Sequence, residues 1–262
     1  MTSKSQRIRA KSLHVWERGE PVLRASPAPL SRRSIVEAAI RIADEEGLVS
    51  VSLRKVGSAL NSGPMRLYGY VATKSELLDL MVDSVYVEMM EAGPFEGDWR
   101  AVTTKIAMRL RHAAQKHDWI IDLLGARSFH GPGALAFLEA SHAALSGPKG
   151  FGDIDLAMKA IRVIFSYVLG AIRIEIGEYR DERESGMSKS EWQLANSRYL
   201  LGAVAEGRFP TLARIVSEHT HRSLTAHFED GLDILLDGVA GLLPKPRTVR
   251  STPKTRRPQS PK

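Results

Sequence analysis

Residues 51–71 read Val-Ser-Leu-Arg-Lys-Val-Gly-Ser-Ala-Leu-Asn-Ser-Gly-Pro-Met-Arg-Leu-Tyr-Gly-Tyr-Val, a pattern that predicts two short helices joined by a tight corner. Asn61 suits the left-handed position after the first helix, because asparagine tolerates that conformation better than most residues. Gly63 then suits the N-cap of the second helix. Pro64 suits its first position, where a missing N–H costs nothing. The second helix is expected to be barely two turns long.

The side chains of these two helices divide into buried anchors and an exposed surface. The anchors are apolar and recur at helical spacing, namely Leu53, Val56, Leu60, Leu67 and Val71. Arg66, Tyr68 and Tyr70 do not belong to this set, and we expect all three on the surface. A short helix that is held by a corner and exposes Arg and Tyr has what is needed to enter the major groove of DNA.

Helical signals continue on both sides of this stretch, and no segment alternates as a strand would. Ser31 can cap a helix that Gly47 ends, and Ser52 can cap the next one. Thr73 and Glu76 form a capping box before another helix. Later helices are predicted at about 99–116, 119–124, 134–145, 154–178, 191–206, 210–217 and 223–243, with a loop over 179–190. About ten helices and no sheet predict an all-α fold.

The charge of the chain is concentrated at its two ends. Residues 1–33 hold eight Lys or Arg and two Glu, and residues 244–262 hold seven Lys or Arg and no acidic residue. We therefore predict a flexible basic N-terminal arm over 1–29 and a disordered basic tail over 244–262. Basic arms are typical of proteins that bind nucleic acid, although charge alone equally allows a solvated tail without a target.

Composition and motifs exclude several classes of protein. The chain has no cysteine, which removes disulfides, thiolate metal sites and cysteine nucleophiles. The most apolar stretch, Val163–Ile172, is too short to span a bilayer, and no apolar segment follows the basic N-terminus, so we expect a cytoplasmic protein. Phosphate-binding loops and hydrolase motifs are missing. His219, His221 and His227 are better explained as surface histidines than as metal ligands, so we predict no metal, no cofactor and no enzymatic activity.

The motifs between residues 43 and 79 resemble those of the tetracycline-repressor (TetR) family of transcriptional regulators. The blocks are Ala43-Asp-Glu-Glu-Gly47, Leu53-Arg-Lys-Val56, Leu67-Tyr-Gly-Tyr-Val71 and Lys74-Ser-Glu-Leu-Leu-Asp79. The resemblance is strongest over 31–85 and weaker in the remainder, at 117–124 and 228–238. It implies a three-helix helix-turn-helix DNA-binding head over 30–92. It also implies a helical effector-binding and dimerisation domain over 93–243.

The resemblance assigns seven residues to the DNA interface, namely Arg54, Pro64, Met65, Arg66, Tyr68, Tyr70 and Lys74. Pro64–Arg66 fall among the base-reading positions, and the other four fall where the family contacts phosphates or groove edges. The chemistry agrees, since Arg binds guanine O6 and N7 bidentately and Tyr and Lys suit phosphates. Asn61 replaces the usual turn glycine. Gly63 and Gly69 lack side chains where contacting ones often stand, so base reading depends mainly on Arg66.

Two helices, at 154–178 and 223–243, have broad apolar faces and resemble the pair that joins two subunits in that family. A protein dimer with two-fold symmetry matches the symmetry of palindromic double-stranded DNA, so we expect a homodimer. In the family, the intervening helices enclose a pocket for a small effector. The aromatic and polar-tipped candidates for its wall are His112, Trp119, Phe129, Phe137, His142 and Tyr167. Residues that bind tetracycline and magnesium in the family have no match here, so the effector's identity stays open.

The expected function is therefore that of a transcriptional repressor of nearby genes that a small-molecule effector releases from DNA. An architectural DNA-binding protein, which would use the basic arms and bind no effector, is the alternative. A defined palindromic footprint would favour the regulator, and uniform coating of DNA would favour the architectural protein. A small enzyme on a helical scaffold is a third class, and the lack of a catalytic constellation makes it remote.

Overall fold

The computed structural model describes residues 14–21, 30–125, 131–147, 151–205, 207–218 and 222–243. Within these ranges the chain forms eleven α-helices and one 3-10 turn and has no strand, which confirms the all-α prediction. The helices are α1 (Arg32–Glu46), α2 (Leu53–Ala59), α3 (Pro64–Leu67), α4 (Lys74–Glu91), α5 (Trp99–Lys116), α6 (Ile120–Leu123), α7 (Pro132–Ser146), α8 (Ile154–Ser185), α9 (Lys189–Ala205), α10 (Pro210–Glu218) and α11 (Leu224–Ala240). The 3-10 turn is Leu48–Ser50.

Helices α1 to α4 form the head, and the first two begin where their capping residues predict. The Ser34 N–H donates to the Ser31 hydroxyl at 3.1 Å, and α1 ends at Gly47 with φ at 81°. The Lys55 N–H donates to the Ser52 hydroxyl at 3.2 Å at the start of α2. Each cap satisfies an N–H that has no partner within the helix. The predicted caps of α1 and α2 are therefore confirmed.

The start of α4 is capped by Thr73 as predicted, but the carboxylate of Glu76 binds elsewhere. The Glu76 N–H donates to Thr73 Oγ1 at 3.1 Å. The Glu76 carboxylate accepts the Ala72 N–H at 2.8 Å and also pairs with Arg18. Because one carboxylate oxygen serves both partners, it ties α4 to the chain before α1 instead of completing the predicted capping box.

The body consists of α5 to α11, and it is joined to the head by the packing of α4 on α7. The Ala134 N–H donates to Asp83 Oδ1 at 2.8 Å, so a residue of α4 caps the first turn of α7. Deeper in the body, Arg111 donates twice to Glu175 at 2.7 Å and once to Thr225 at 2.8 Å. This buried, bidentate ion pair joins α5, α8 and α11 in one defined arrangement.

Helix α8 is longer than the sequence predicts, and the predicted loop over 179–190 is wrong except at 186–188, because α9 already begins at Lys189. The helix continues to Ser185 and ends at Gly186, which is left-handed with φ at 65°. Arg180 donates to Asp122 at 2.9 Å from this extension. The segment is polar because it is the solvated end of a helix, and Arg and Glu are good helix formers. No helix of the described residues, α8 included, is both long and apolar enough to cross a membrane.

Residues 14–21, here called the N-terminal strap, pack on the head and on the body. Val15 is 2% exposed, and the Trp16 ring lies so close to Gly131, just before α7, that a side chain at Gly131 would clash with it. Glu20 accepts the Arg32 N–H at 3.1 Å at the start of α1. Together with the Arg18–Glu76 pair, these contacts connect α1, α4 and the start of α7.

The prediction of a flexible N-terminal arm is therefore wrong for the strap. Its apolar content is sparse, but one buried valine and one packed tryptophan dock a short segment when a complementary surface is present. Only the tertiary structure supplies that surface. Residues 1–13, 22–29 and 244–262, which complete the two predicted arms, lie outside the described residues.

Candidate nucleic-acid interface and ligand cavity

The corner between α2 and α3 is held by close backbone contacts. Asn61 has φ at 48°, the only positive φ of a non-glycine residue in the described chain, as the sequence predicts. The Ser62 N–H donates to the Gly57 carbonyl at 2.8 Å. A Cβ on Gly57 would lie 2.8 Å from the Ser62 carbonyl oxygen, so this approach requires glycine. The corner thus sets the direction in which α3 leaves α2.

Helix α3 presents a small exposed surface around one buried anchor. Leu67 is fully buried and fixes the helix to the core. Met65 is 79% exposed, Tyr68 is 50% exposed, and Pro64 and Arg66 are exposed as well. The structure therefore brings four of the seven predicted DNA-interface residues together on, or just after, one short helix.

Three exposed cations surround this surface, Arg54 on α2, Arg66 on α3 and Lys74 at the start of α4. Among the described residues, no acidic side chain lies within ion-pair distance of any of them. Lys55, by contrast, pairs with Glu46. The three unpaired charges are consequently available to the phosphate oxygens or base edges of a nucleic acid.

Tyr70 is placed differently from the sequence prediction, which put it on the surface. It is only 3% exposed. Its N–H donates to the Leu67 carbonyl at 2.9 Å, and its own carbonyl accepts Arg32 Nε at 3.2 Å. The turn after α3 directs the ring into the core, so Tyr70 anchors the end of α3 to α1. The prediction that Tyr70 is exposed is wrong, and its ring is not part of the exposed surface of α3.

A cavity of about 520 Å³ lies in the body between α4, α5, α7 and α8. Its walls are mostly aliphatic, with three aromatic rings from Tyr86, Phe137 and Phe165. The polar side chains among its described lining residues are Tyr86, Thr103, Ser141, His142 and Arg162. Leu138 and Met158 are each 40% exposed and mark the mouth between α7 and α8. A mostly apolar cavity with a few polar tips is typical of a site for a small organic molecule.

Of the six pocket residues predicted from the sequence, Phe137 and His142 line this cavity. Phe129 lies outside the described residues. Three others point elsewhere, so the prediction that they line the cavity is wrong. His112 is exposed on α5. Trp119 is fully buried and donates to Asp44 of α1 at 2.7 Å, and the Tyr167 hydroxyl donates to the Phe228 carbonyl of α11 at 2.9 Å. The latter two connect helices to one another instead of facing a ligand.

Tyr86 is among the cavity residues that the sequence analysis missed, and it is the one described lining residue that belongs to the head. Its ring packs on Phe137 with centroids 5.2 Å apart. Burial, together with the nearby charge of Asp83, raises the pKa of Tyr86 to about 12, so the hydroxyl is neutral near pH 7. A polar-tipped aromatic on the apolar face of α4 was the available signal, but only the packing of α4 on α7 shows that it faces a cavity.

An exposed short helix on a corner, three exposed cations around it and an apolar cavity reached by the same head are typical of a ligand-responsive DNA-binding protein. Residues 93–243 match the protein family described as Tetracyclin repressor-like, C-terminal domain. The chain belongs to the TetR family and is a transcriptional regulator.

Two relatives and one solved structure illustrate this membership. The chain is 35% identical to the HTH-type transcriptional repressor DrrR1 of Streptomyces coeruleorubidus over 89% of this chain and 86% of that protein. It is 31% identical to an HTH-type transcriptional regulator of Saccharopolyspora erythraea over 92% of this chain and 98% of that protein. The structure of ActR from Streptomyces coelicolor in complex with actinorhodin is similar with a TM-score of 0.68 and 25% identity, covering 82% of this chain and 97% of that chain.

Proposed function

We propose that this regulator is a homodimeric repressor that binds a palindromic operator in the cytoplasm and leaves it when a small organic molecule fills the cavity. One observation carries the proposal. Helix α4 is a continuous 18-residue helix that begins with Lys74 near α3 and also places Tyr86 in the cavity wall. These two residues are about 18 Å apart along the helix axis. A ligand that displaces Tyr86 therefore displaces the helix that supports the DNA-facing corner.

Release requires only a modest difference in affinity between two positions of the head. Couplings between ligand and DNA sites are typically about 1–3 kcal/mol, or about 5- to 150-fold in operator affinity. In the proposed mechanism, the occupied cavity favours a position of α4 in which the two α3 helices of the dimer no longer match successive major grooves. The bond from the Ala134 N–H to Asp83 and the bond from Trp119 to Asp44 are the contacts through which the body guides that shift.

On DNA, Arg66 is proposed to bind a guanine in the major groove, with Pro64 and Met65 against a thymine methyl. Tyr68, Arg54 and Lys74 are proposed to hold phosphates on either side. The exposure of all six and the absence of acidic partners within the described chain for the three cations support this division. The buried ring of Tyr70 takes no part in it.

The dimer is proposed to form through α8 and α11. In a single chain Val163, Ile174 and Ile234 are 51%, 65% and 74% exposed. Gly170 and Gly238 have open space where a side chain would project. Large apolar side chains beside glycines suit close packing against the same two helices of a second copy, which would remove this surface from water.

A cavity ligand is supported by the fold and by the solved relative. ActR of Streptomyces coelicolor has been solved with actinorhodin. A second structure of the same protein holds (S)-DNPA. We propose that this chain, too, binds an organic molecule in its body, and that binding, not catalysis, is the purpose of the cavity. In the described residues, no group of three or more His, Asp or Glu forms a metal site.

The test is an operator selection from random DNA with the full chain, followed by footprinting of the selected site. The proposal expects a palindrome whose half-sites are one helical turn apart, protected over a defined length. Uniform coating without a selected sequence would contradict it and favour the architectural protein. Release is then measured as loss of fluorescence anisotropy of the operator when candidate molecules are added.

A further inference from the structure

We propose that the effector is an organic acid with an apolar, ring-containing body, and that Arg162 at the mouth of the cavity binds its acidic group. This inference rests on the proposed function, because it takes the cavity as the effector site. It names the chemistry of the molecule that the cavity accepts. Four properties of the walls lead to it: their shape, their charge, the commitment of their hydroxyl groups and the protonation of Tyr86.

The shape and the apolar walls determine the body of the ligand. About 520 Å³ is within the usual range for sites that hold a drug-sized molecule. The rings of Phe137 and Phe165 provide flat apolar faces on α7 and α8. A molecule with few polar groups loses little hydration on entering, and rings can stack or pack edge-on against such faces.

The charge of the walls determines the sign of any charged group on the ligand. Among the described lining residues, Arg162 carries the one permanent charge, and Asp and Glu are absent. Arg162 is exposed, and no acidic side chain of the described chain lies within ion-pair distance of it. A carboxylate or a similar anion would gain charge-assisted hydrogen bonds there. A cation would lose hydration and would find no acidic side chain among the described lining residues.

His142 on α7 also lines the cavity. Its Nδ1 lies 2.6 Å from the Leu138 carbonyl oxygen, which can only accept a hydrogen bond. Nδ1 therefore carries the proton in the neutral ring, and Nε2 is left as an acceptor for a hydrogen bond from the ligand.

The remaining hydroxyl groups indicate where a second polar group of the ligand can bind. Thr103 donates to the Trp99 carbonyl at 2.6 Å, and Ser141 donates to the Phe137 carbonyl at 2.6 Å, so neither proton is available to a ligand. The Tyr86 hydroxyl has no hydrogen bond to another described residue. Because its pKa is raised to about 12, it keeps its proton and can donate to a carbonyl or phenol oxygen. The effector is thus expected to carry an oxygen acceptor on its body as well as the acidic group.

The experiment compares two fluorescent dyes that share one apolar body, 8-anilinonaphthalene-1-sulfonate and N-phenyl-1-naphthylamine, which differ by the sulfonate. Each is titrated into the full chain, and dissociation constants are measured from the blue-shifted emission. We expect the sulfonate to bind at least about 10-fold more tightly, since hydrogen bonds to charged groups are the strong ones. In Arg162→Gln this preference should disappear, with the affinity for the neutral dye unchanged within about twofold.

Two further variants locate the effect. Lys159→Gln removes a positive charge one turn away on α8 from a residue that does not line the cavity, and it should keep the full preference. Leu138→Trp, at the partly exposed mouth, should weaken both dyes by several-fold because the indole narrows the opening. Operator binding without dye should be the same in Lys159→Gln and the parent chain.

The outcomes separate this inference from the function on which it rests. Equal affinity for the two dyes, or an equal loss in Lys159→Gln and Arg162→Gln, would overturn the organic-acid assignment and leave the effector site standing. If Leu138→Trp did not weaken the binding of the dyes, they would be bound outside the cavity, and this result would also count against the organic-acid assignment. If neither dye bound at all, both this inference and the proposed effector cavity would fall, whereas the operator selection would still decide DNA binding.

Discussion

Arg66 stands on the exposed side of α3 between two positions without side chains, Gly63 and Gly69. The proposed base reading through this helix therefore depends on very few groups. Met65 offers apolar contact and Tyr68 a hydroxyl, but only Arg66 can form the bidentate pair that distinguishes guanine from the other bases. The loss of this one side chain should therefore lower the sequence selectivity of DNA binding as well as the affinity.

Arg66→Ala is expected to weaken binding to the selected operator by about 1–3 kcal/mol and to relax the preference at one base pair in each half-site. A repeated selection with the variant measures both effects. Arg198→Ala is the matched control, because Arg198 is an exposed arginine on α9, far along the chain from the head. An unchanged preference in Arg66→Ala would reject the assignment of Arg66 to a base.

Lys74 is proposed to contact phosphate and not bases, because it lies at the first position of α4 and not on α3. A phosphate contact carries no sequence information, so Lys74→Ala should weaken cognate and random DNA by the same factor. The slope of log affinity against log salt should fall in magnitude by about one unit per subunit. Titrations at several salt concentrations measure the slope. A loss that is confined to the cognate operator would contradict this role.

At the scale of elements, the N-terminal strap and α4 act together. The strap binds Glu76 through Arg18 at one end of α4, and its Trp16 lies against Gly131, which directly precedes α7. It therefore bridges the same two helices, α4 and α7, that meet beside the cavity. A segment of eight residues thus contributes to the position of the head relative to the body.

Removal of residues 1–21 is expected to lower the free energy of unfolding by about 2 kcal/mol or more, since it exposes the site of the buried Val15 and breaks the Arg18–Glu76 pair. Removal of residues 1–13 alone is the control and should leave the stability nearly unchanged. Urea denaturation followed by circular dichroism gives both values. Equal midpoints for the two truncated chains would show that the strap does not stabilise the fold.

At the scale of the whole molecule, two-fold symmetry is the first property to test. Ile234→Asp places a charge in the proposed contact between subunits and should give a particle with the mass of one chain in light scattering. Operator affinity should fall at least about 100-fold, because one head cannot hold both half-sites. Val49→Asp is the control, since Val49 is 89% exposed on the 3-10 turn of the head. A dimer that survives Ile234→Asp would place the interface elsewhere.

The contribution of the basic ends of the chain to DNA binding is the second property of the whole molecule to test. Residues 1–13 and 244–262 hold eleven basic and no acidic residues. A chain of residues 14–243 keeps the strap and should bind cognate and random DNA more weakly by similar factors, with a flatter salt dependence and an unchanged operator. An operator selection with both chains checks this. Loss of A·T preference beside the palindrome would mean that the ends read the minor groove.

Local signals in the sequence were sufficient for much of the head. The caps at Ser31, Ser52 and Thr73, the left-handed Asn61 and the start of α3 at Pro64 are all as predicted. Each depends on the chemistry of a residue and its neighbours within about four positions, which sequence shows directly. The all-α fold follows from the same signals repeated along the chain.

The sequence by itself thus determined the class of fold, the DNA-binding corner and the family resemblance, whereas the tertiary structure alone decided which side chains face which space. Tyr70 and Tyr86 are both tyrosines on predicted helical segments, yet one anchors α3 in the core and the other lines the cavity. Trp119 and Tyr167 proved to connect helices, and the strap proved to be docked. The physical reason is that burial and partners depend on packing between segments far apart in the chain, which no local pattern encodes.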